Sequence, residues 1–382
     1  MRLLRLRLRD FRNIAQAEIE PGPRATVVFG PNGHGKTNLL EAIYLLATLR
    51  PLRASRFAEL PRFGEANCEV EGDWEVAGIE RRIAVRVEGG TRQAFLDGKR
   101  VQDLEAYFGG ISVVSFTPDD LLVVKGEPEL RRRHLDRAVF NRFPAFLAES
   151  RAYGRALRAR NRLLREEAPT ELLEAFDGPL VEAGARIVVR RRRLLEELEP
   201  RFRQVLSSLT RGQLQGSLRY RSSFAPPAQD EGAVRDALAK ALRDGLARDR
   251  GRKHTGVGPH ADRLDFELSG RTARTFASQG QQRAIILAWK IAEIENLEDH
   301  LGHQPLLLLD DVSSELDPER NRQLLAYLDA FHGQVILTTT DPSHLLQAPS
   351  GQTRYFSVWE GSFAQVDPDG LSGAAPKGQN PE

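Results

Sequence analysis

The chain has 382 residues, 41% of them hydrophobic, and 55 Lys plus Arg stand against 53 Asp plus Glu for a formal net charge of +2. That length and apolar share suffice for two domains with cores of their own, and the near-balance of charge gives overall electrostatics no say on nucleic acid. The single cysteine, Cys68, excludes an internal disulfide and fits a reducing cytosol, and no run approaches the ~18 apolar residues of a membrane span, so a cytoplasmic protein without a membrane partner is expected.

Met1 to Leu8 alternates like a strand and lacks the unbroken apolar core of a signal peptide. The apolar run Thr26 to Phe29 leads directly into Gly30-Pro31-Asn32-Gly33-His34-Gly35-Lys36-Thr37, a Walker A phosphate loop set between a strand and a helix. Its glycines let the backbone turn sharply and aim N–H groups at phosphate, Lys36 is placed to reach the β- and γ-phosphates of ATP, and the Thr37 hydroxyl to hold Mg²⁺. A glycine-rich turn before a core helix is the plainer alternative. Asn38 to Ala47 is apolar nearly all round, as for a helix packed on a buried sheet, and Cys68 to Val76 and Ile79 to Val87 suit an antiparallel layer.

Arg131 to Ser208 reads mostly helical. Between Gly126 and Tyr220 there are 20 Lys plus Arg against 13 Asp plus Glu, including Arg131 to Arg133 and Arg190 to Arg193, a surface able to neutralise DNA phosphates. Against that, only seven of the 55 basic residues are Lys, so arginine richness is chain-wide, and Glu196, Glu197 and Glu199 can pair with much of it along helix faces. Ser223 to Gln229 reads as a loop and Gly232 to Arg248 as a helix.

Ser278-Gln-Gly280-Gln281-Gln-Arg283 opens the helical stretch Ala284 to Glu293. Ser278 with Gln281 forms a capping box, and the same Ser- and Gly-headed helix start is an anion site. Pro305 to Asp311 reads as a buried strand ending in two carboxylates, a Walker B pattern in which Asp310 would contact Mg²⁺ through water and Asp311 would polarise the attacking water. Two acids there repel unless a cation joins them, which a simple core strand leaves unexplained. Asp317 and Pro318 cap a helix over Glu319 to Phe331, Gln334 to Asp341 is another core strand, and residues 367–382 read as a disordered tail.

Taken together, the Ser278 segment resembles the signature motif of ABC-type ATPases, and Ser313 to Asp317 their D-loop, with Thr340 where those enzymes usually keep a switch histidine. Pro118 to Asp136 and Gly256 to Asp265, with the opening Leu8-Arg-Asp-Phe11-Arg12-Asn13, are similar to the RecF family, relatives of SMC proteins, over about residues 1 to 366. Departures are Ala261 in place of an arginine, Glu127 in place of a smaller residue, and His134 in place of an aromatic, the last two expected on a surface or helix face.

The resemblance implies an α/β fold: an ABC/SMC-type P-loop ATPase head with a mixed sheet, plus a mostly helical inserted lobe and no long coiled coil. The expected division is 1–125 and 256–366 for the ATPase lobe, the latter with signature, Walker B and D-loop, and 126–255 for the helical lobe. The resemblance further implies Arg12 and Asn13 near adenine, and an ATP-dependent homodimer in which Ser278, Gly280, Gln281 and Asp317 serve the partner's nucleotide. It implies a weak, DNA-stimulated ATPase clamping DNA at gaps or single-strand to double-strand junctions, loading recombinase with RecO and RecR, and contributing to the SOS response. An ABC subunit energising a membrane partner, or a partner-binding module with vestigial hydrolysis, are the alternatives.

Overall fold

The computed structural model describes residues 1–53, 56–102, 104–226, 228, 230–311, 317–340 and 352–367. Ser313 to Leu316 of the expected D-loop, Asp341, positions 227 and 229 of the expected loop and residues 368–382 of the expected tail lie outside these. The chain divides into two compact units, Met1–Pro118 with Leu297 onward, and Asp119–Asn296.

In the first unit, β1 (Arg2–Phe11), β2 (Ile14–Ile19), β4 (Asn67–Val76), β5 (Ile79–Glu88), β6 (Thr91–Leu96) and β7 (Lys99–Arg100) form an antiparallel sheet in the order β2-β1-β4-β5-β6-β7. Period-two alternation explains it: Cys68, Val70, Trp74 and Val76 of β4 face the core while Glu69, Glu71, Asp73 and Glu75 face outward. Outward acids meet outward arginines across the strands, Arg82 to Asp73 at 2.8 Å and Arg86 to Glu69 at 2.6 Å.

The second sheet of this unit is β15-β14-β3-β13-β12-β8, built from β3 (Ala25–Phe29), β8 (Val113–Phe116), β12 (Leu306–Asp310), β13 (Val335–Thr339), β14 (Thr353–Trp359) and β15 (Ser362–Val366). All neighbours are parallel except the β14–β15 hairpin. Near-continuous apolar runs suit strands covered on both faces, and all of β12 is buried. Val27 pairs with Leu337 on one side and Tyr355 on the other, so β3 lies between two strands from the far end of the chain. Helix α1 (Lys36–Thr48) contacts both sheets, and burial on nearly every side explains its lack of a polar stripe.

The second unit holds α3 (Pro118–Leu121, following the short α2, Leu104–Phe108, of the first unit), α4 (Pro128–Arg142), α5 (Phe146–Arg165), α6 (Thr170–Leu209), α7 (Glu231–Arg252), α8 (Ala273–Phe276) and α9 (Gln279–Leu301). Its small antiparallel sheet pairs β10 (Arg263–Leu268) with β9 (Gly216–Arg221) and β11 (Arg271–Thr272). α3 begins on the last residue of the first unit, and α9 ends within that unit.

The observed division differs from the expected one. Residues 256–296, with the Gly256 to Asp265 element and Ser278, pack with the helical unit, and the boundary falls at Pro118 instead of 125. The reason is strand pairing: β10 runs beside β9, so Leu264 and Phe266 are buried in the helical unit's core. Grouping by ATPase motif joined segments that packing separates.

His134 also departs from expectation. It is 3% exposed on α4, its Nδ1 3.3 Å from Asp120 and its ring 5.2 Å from Trp289, so it fills an aromatic's place in the core rather than lying on an open face. Glu127 is exposed and pairs with Arg274 at 3.0 Å.

Candidate nucleotide-binding site

The phosphate loop leaves β3 at Gly30 and enters α1 at Lys36. Gly30, Gly33 and Gly35 take φ of 153°, 83° and 118°, a region costly for any side chain with a Cβ, and the loop can therefore expose its N–H groups. Lys36 is 6% exposed and donates from Nζ to the carbonyls of Gly30 (2.6 Å) and Pro31 (2.9 Å), with Asn32 Oδ1 at 3.4 Å. Burial lowers its pKa, an effect that Asp311 and Asp310 partly offset. The ammonium caps its own loop through contacts that phosphate oxygens can replace.

Across the sheet, β12 carries Asp310 to the same place, since it pairs with β13 and β13 with β3. The Thr37 hydroxyl donates to Asp310 Oδ1 at 2.8 Å, joining residues 273 positions apart. Asp310 is 3% exposed and also accepts from the Thr338 hydroxyl at 2.9 Å and from Arg53 Nη2 at 2.8 Å. Asp311, with φ 48°, turns off the strand end and is fixed by its N–H to Thr338 Oγ1 at 3.0 Å. Asn32, Gly33, Gly35, Lys36, Thr37, Asn38, Arg53, Pro118, Asp310 and Asp311 line one cavity of about 280 Å³.

This donor set fits the expected ligands. A hydroxyl and a carboxylate 2.8 Å apart are hard oxygen ligands suited to Mg²⁺ that completes its shell with phosphate and water. Among the described residues there is no group of three or more His, Cys, Asp or Glu able to hold a metal ion.

Arg12 and Asn13 lie beside the loop. Asn38 donates to Asn13 Oδ1 at 2.8 Å, and a Cβ on Gly35 would sit 3.0 Å from the same oxygen. Arg12 bonds buried Glu41 at 2.8 Å, and Glu41 accepts from the Arg53 N–H at 2.9 Å. Both line an adjoining hollow of about 720 Å³ with Asn38, Glu41 and Arg53. His34 is half-buried and stacks on Trp359, ring centroids 4.3 Å apart.

Sequence reasoning missed Arg53 and Thr338. Arg53 follows α1 with no motif around it, whereas three threonines ending an otherwise apolar strand were a readable sign that Thr338 meets polar groups.

Ser278, Gly280 and Gln281 belong to the second unit. The capping box is formed: Ser278 N–H donates to Gln281 Oε1 at 2.8 Å, and Gln281 N–H to Ser278 Oγ at 3.3 Å. Ser278 is exposed at the start of α9, as an anion-facing helix terminus requires. Asp317 caps the helix Pro318–Ala330 by accepting from the Arg320 N–H at 3.1 Å.

The family model described as RecF/RecN/SMC N terminal domain matches residues 2–360. The chain belongs to the RecF family. It is 55% identical over 369 residues, 95% of this chain, to a DNA replication and repair protein RecF from Myxococcus xanthus, covering 97% of that protein. A RecF from Geobacter sulfurreducens is 42% identical over 96% of this chain and all of its own length. Among solved structures, the recombination mediator protein RecF-ATPrS in the RecFOR pathway matches with a TM-score of 0.86 at 30% identity, over 96% of this chain and 98% of that one. An SMC head bound to the C-winged helix domain of ScpA shares the fold, with a TM-score of 0.53 at 18% identity over 96% and 97% of the two chains. The fold is thus that of an ATP-binding ATPase of the ABC/SMC class, without a long coiled coil among the described residues.

Proposed function

We propose that this RecF-family protein is an ATP-gated DNA clamp of replication and recombinational repair. The carrying observation is the Thr37 to Asp310 contact beside Lys36, where a loop from one end of the chain and a strand from the other form one phosphate and metal site. Bound Mg²⁺ would supply positive charge that neutralises the phosphates. Lys36 would exchange the Gly30 and Pro31 carbonyls for phosphate oxygens, Thr37 and Asp310 would hold the ion, and Asp311 would orient the attacking water.

The reading continues with a dimer. Each subunit supplies its phosphate loop, Asp310 and Asp311 to one ATP, and its Ser278 helix start, with Gly280, Gln281 and Asp317, to the other. The γ-phosphate makes both sets of contacts only in the closed dimer, so hydrolysis removes the differential binding that favours closure. The closed dimer encloses DNA at a gap or single-strand to double-strand junction, where RecO and RecR assist recombinase loading, and its turnover is slow, DNA-stimulated and tied to the SOS response. The solved relatives, RecF-ATP and RecF-ATPrS in the RecFOR pathway, support this assignment.

Light-scattering mass with ATP and Mg²⁺, with and without gapped duplex, tests it. The expected result is an ATP-dependent dimer, stabilised by DNA, lost in Ser278→Arg and retained in Asp311→Asn. A monomer under every condition overturns the clamp. A partner-binding module with vestigial hydrolysis is favoured by one observation, exposed Thr340 at the switch position; intact repair in cells carrying Lys36→Ala would select it.

A further inference from the structure

The phosphate loop is held from outside by a hairpin that no nucleotide motif includes. β14 runs parallel to β3 and ends level with the loop, and the β14–β15 turn then folds over it. Three contacts converge on one loop residue. The Trp359 indole stacks on the His34 ring at 4.3 Å and 33°, the Glu360 N–H donates to His34 Nδ1 at 3.0 Å, and the Gly361 N–H donates to the His34 carbonyl at 2.9 Å. Glu360 and Gly361 take φ of 46° and 79°, which turns both N–H groups toward the loop. A Cβ on Gly361 would lie 2.3 Å from the Asn13 carbonyl oxygen, so the turn touches the Arg12-Asn13 segment as closely as the loop.

A loop with three glycines at positive φ has little stiffness of its own, and the Lys36 contacts that brace it are those a phosphate would take over. We propose that Trp359 is a positioning residue for nucleotide binding: its stack on His34 holds the phosphate loop in the shape that receives ATP. This rests on the nucleotide-binding reading above. Its exposure supports the assignment, since Trp74 and Trp289 are fully buried in cores while Trp359 is 59% exposed and stacked on the loop.

The experiment is calorimetric titration of the full chain with ATP and Mg²⁺, alongside steady-state ATPase rates. An aromatic stack contributes roughly 0.5–1.5 kcal/mol, so Trp359→Ala is expected to raise the Kd and KM for ATP roughly 2- to 12-fold with kcat within about twofold of the parent. Trp359→Phe, which keeps a stacking ring, is expected to restore affinity. His34→Ala, which removes both the ring contact and the Glu360 N–H bond, is expected to weaken binding at least as much, and the double variant no further than His34→Ala, because the ring contact is already gone. Parental affinity in Trp359→Ala, equal loss in Trp359→Phe, or additive losses in the double variant would each overturn the proposal. If the parent itself fails to bind ATP, the nucleotide reading falls first, which keeps the two failures apart.

Discussion

The phosphate site and the interior of the second unit are both dense in polar side chains, and they use them in opposite ways. At the phosphate site Lys36 is satisfied by carbonyls of its own loop and borders an open cavity, so its partners can be exchanged. In the second unit Arg191, 3% exposed, spends its guanidinium on Asp136 in a bidentate pair at 2.8 and 3.0 Å and on the Pro259 carbonyl at 2.7 Å. Burial works against its charge, but Asp136 and Tyr220 outweigh that and raise its pKa. Asp262 in turn accepts from Tyr220 and from the Ser223 N–H at 2.7 Å. Arg160 joins Asp177, Asp249 and Thr255 at 2.7 to 2.8 Å. A residue whose bonds are internal builds the fold, whereas one that faces a cavity with exchangeable bonds is free to take a ligand.

The largest effect expected from breaking this contrast is at Arg191. Arg191→Leu leaves the half-buried Asp136 carboxylate and the buried Pro259 carbonyl without their shared donor and should destabilise the protein by about 3 kcal/mol. Urea unfolding followed by circular dichroism reads it, and a loss below ~1 kcal/mol would mean the pair is not structural. Lys36→Ala is the counterpart: ATP affinity should fall at least about tenfold, equivalent to ~1.4 kcal/mol, while the unfolding free energy without nucleotide falls by no more than about 1 kcal/mol, because the buried ammonium gives up only its two loop-carbonyl bonds. Equal damage to affinity and stability would erase the distinction.

The same contrast explains what could be read from sequence. The phosphate loop, Walker B strand and Ser278 cap are local patterns, each carried by fewer than ten consecutive residues, and the structure forms the loop, strand and cap where expected. Arg53 and Trp359 were invisible because each reaches the site through a tertiary contact with no local spacing, Arg53 by its ion pair to Asp310 and Trp359 by its stack on His34. The basic runs misled in part for the same reason. Arg131 is 3% exposed and bonds the Leu264 carbonyl at 2.7 Å, and Arg190 bonds Glu149 at 2.5 and 2.7 Å, so half-buried packing absorbs charge that composition alone offers to DNA. Charge counts cannot separate an internal guanidinium from a surface one.

Two histidines, His134 buried and His260 half-buried, sharpen the comparison through pH. His260 Nε2 lies 2.9 Å from the Thr255 carbonyl and its Nδ1 meets the Tyr153 hydroxyl, an arrangement for the neutral ring with Nε2 protonated. Burial lowers the pKa of His260 and of His134 below the ordinary 6.5. The unfolded chain therefore binds more protons in the window just below pH 6.5, and stability should fall as pH drops from 7.5 to 5.5. Asp120, held well below the usual carboxylate range because Lys290, His134 and Arg137 outweigh its burial, loses its contribution only at more acidic pH and does not confuse this window. Urea midpoints at the two pH values, with His260→Gln expected to show the smaller difference, check the assignment; an unchanged difference would remove His260 from the account.

The smallest expected effect lies on the open face of α6, where Arg203 pairs with Glu199 one turn earlier at 2.7 Å, with side-chain exposures of 59% and 31%. An exposed i,i+4 pair contributes about 0.3–0.5 kcal/mol, and salt screens it, since the Debye length falls to about 3 Å at 1 M. Arg203→Ala should thus lower stability by less than about 0.5 kcal/mol at low salt and by nothing measurable at 1 M. If Arg203 also contacts a DNA phosphate, the same variant should lower the steepness of the salt dependence of DNA binding by roughly one unit while stability stays put. Arg191 admits no such separation, because its charge cannot leave Asp136 without the fold. A DNA effect without a stability effect at Arg203 would identify the surface arginines as the ones available to phosphate, and an equal loss of both would place α6's outer face with the interior network as structure.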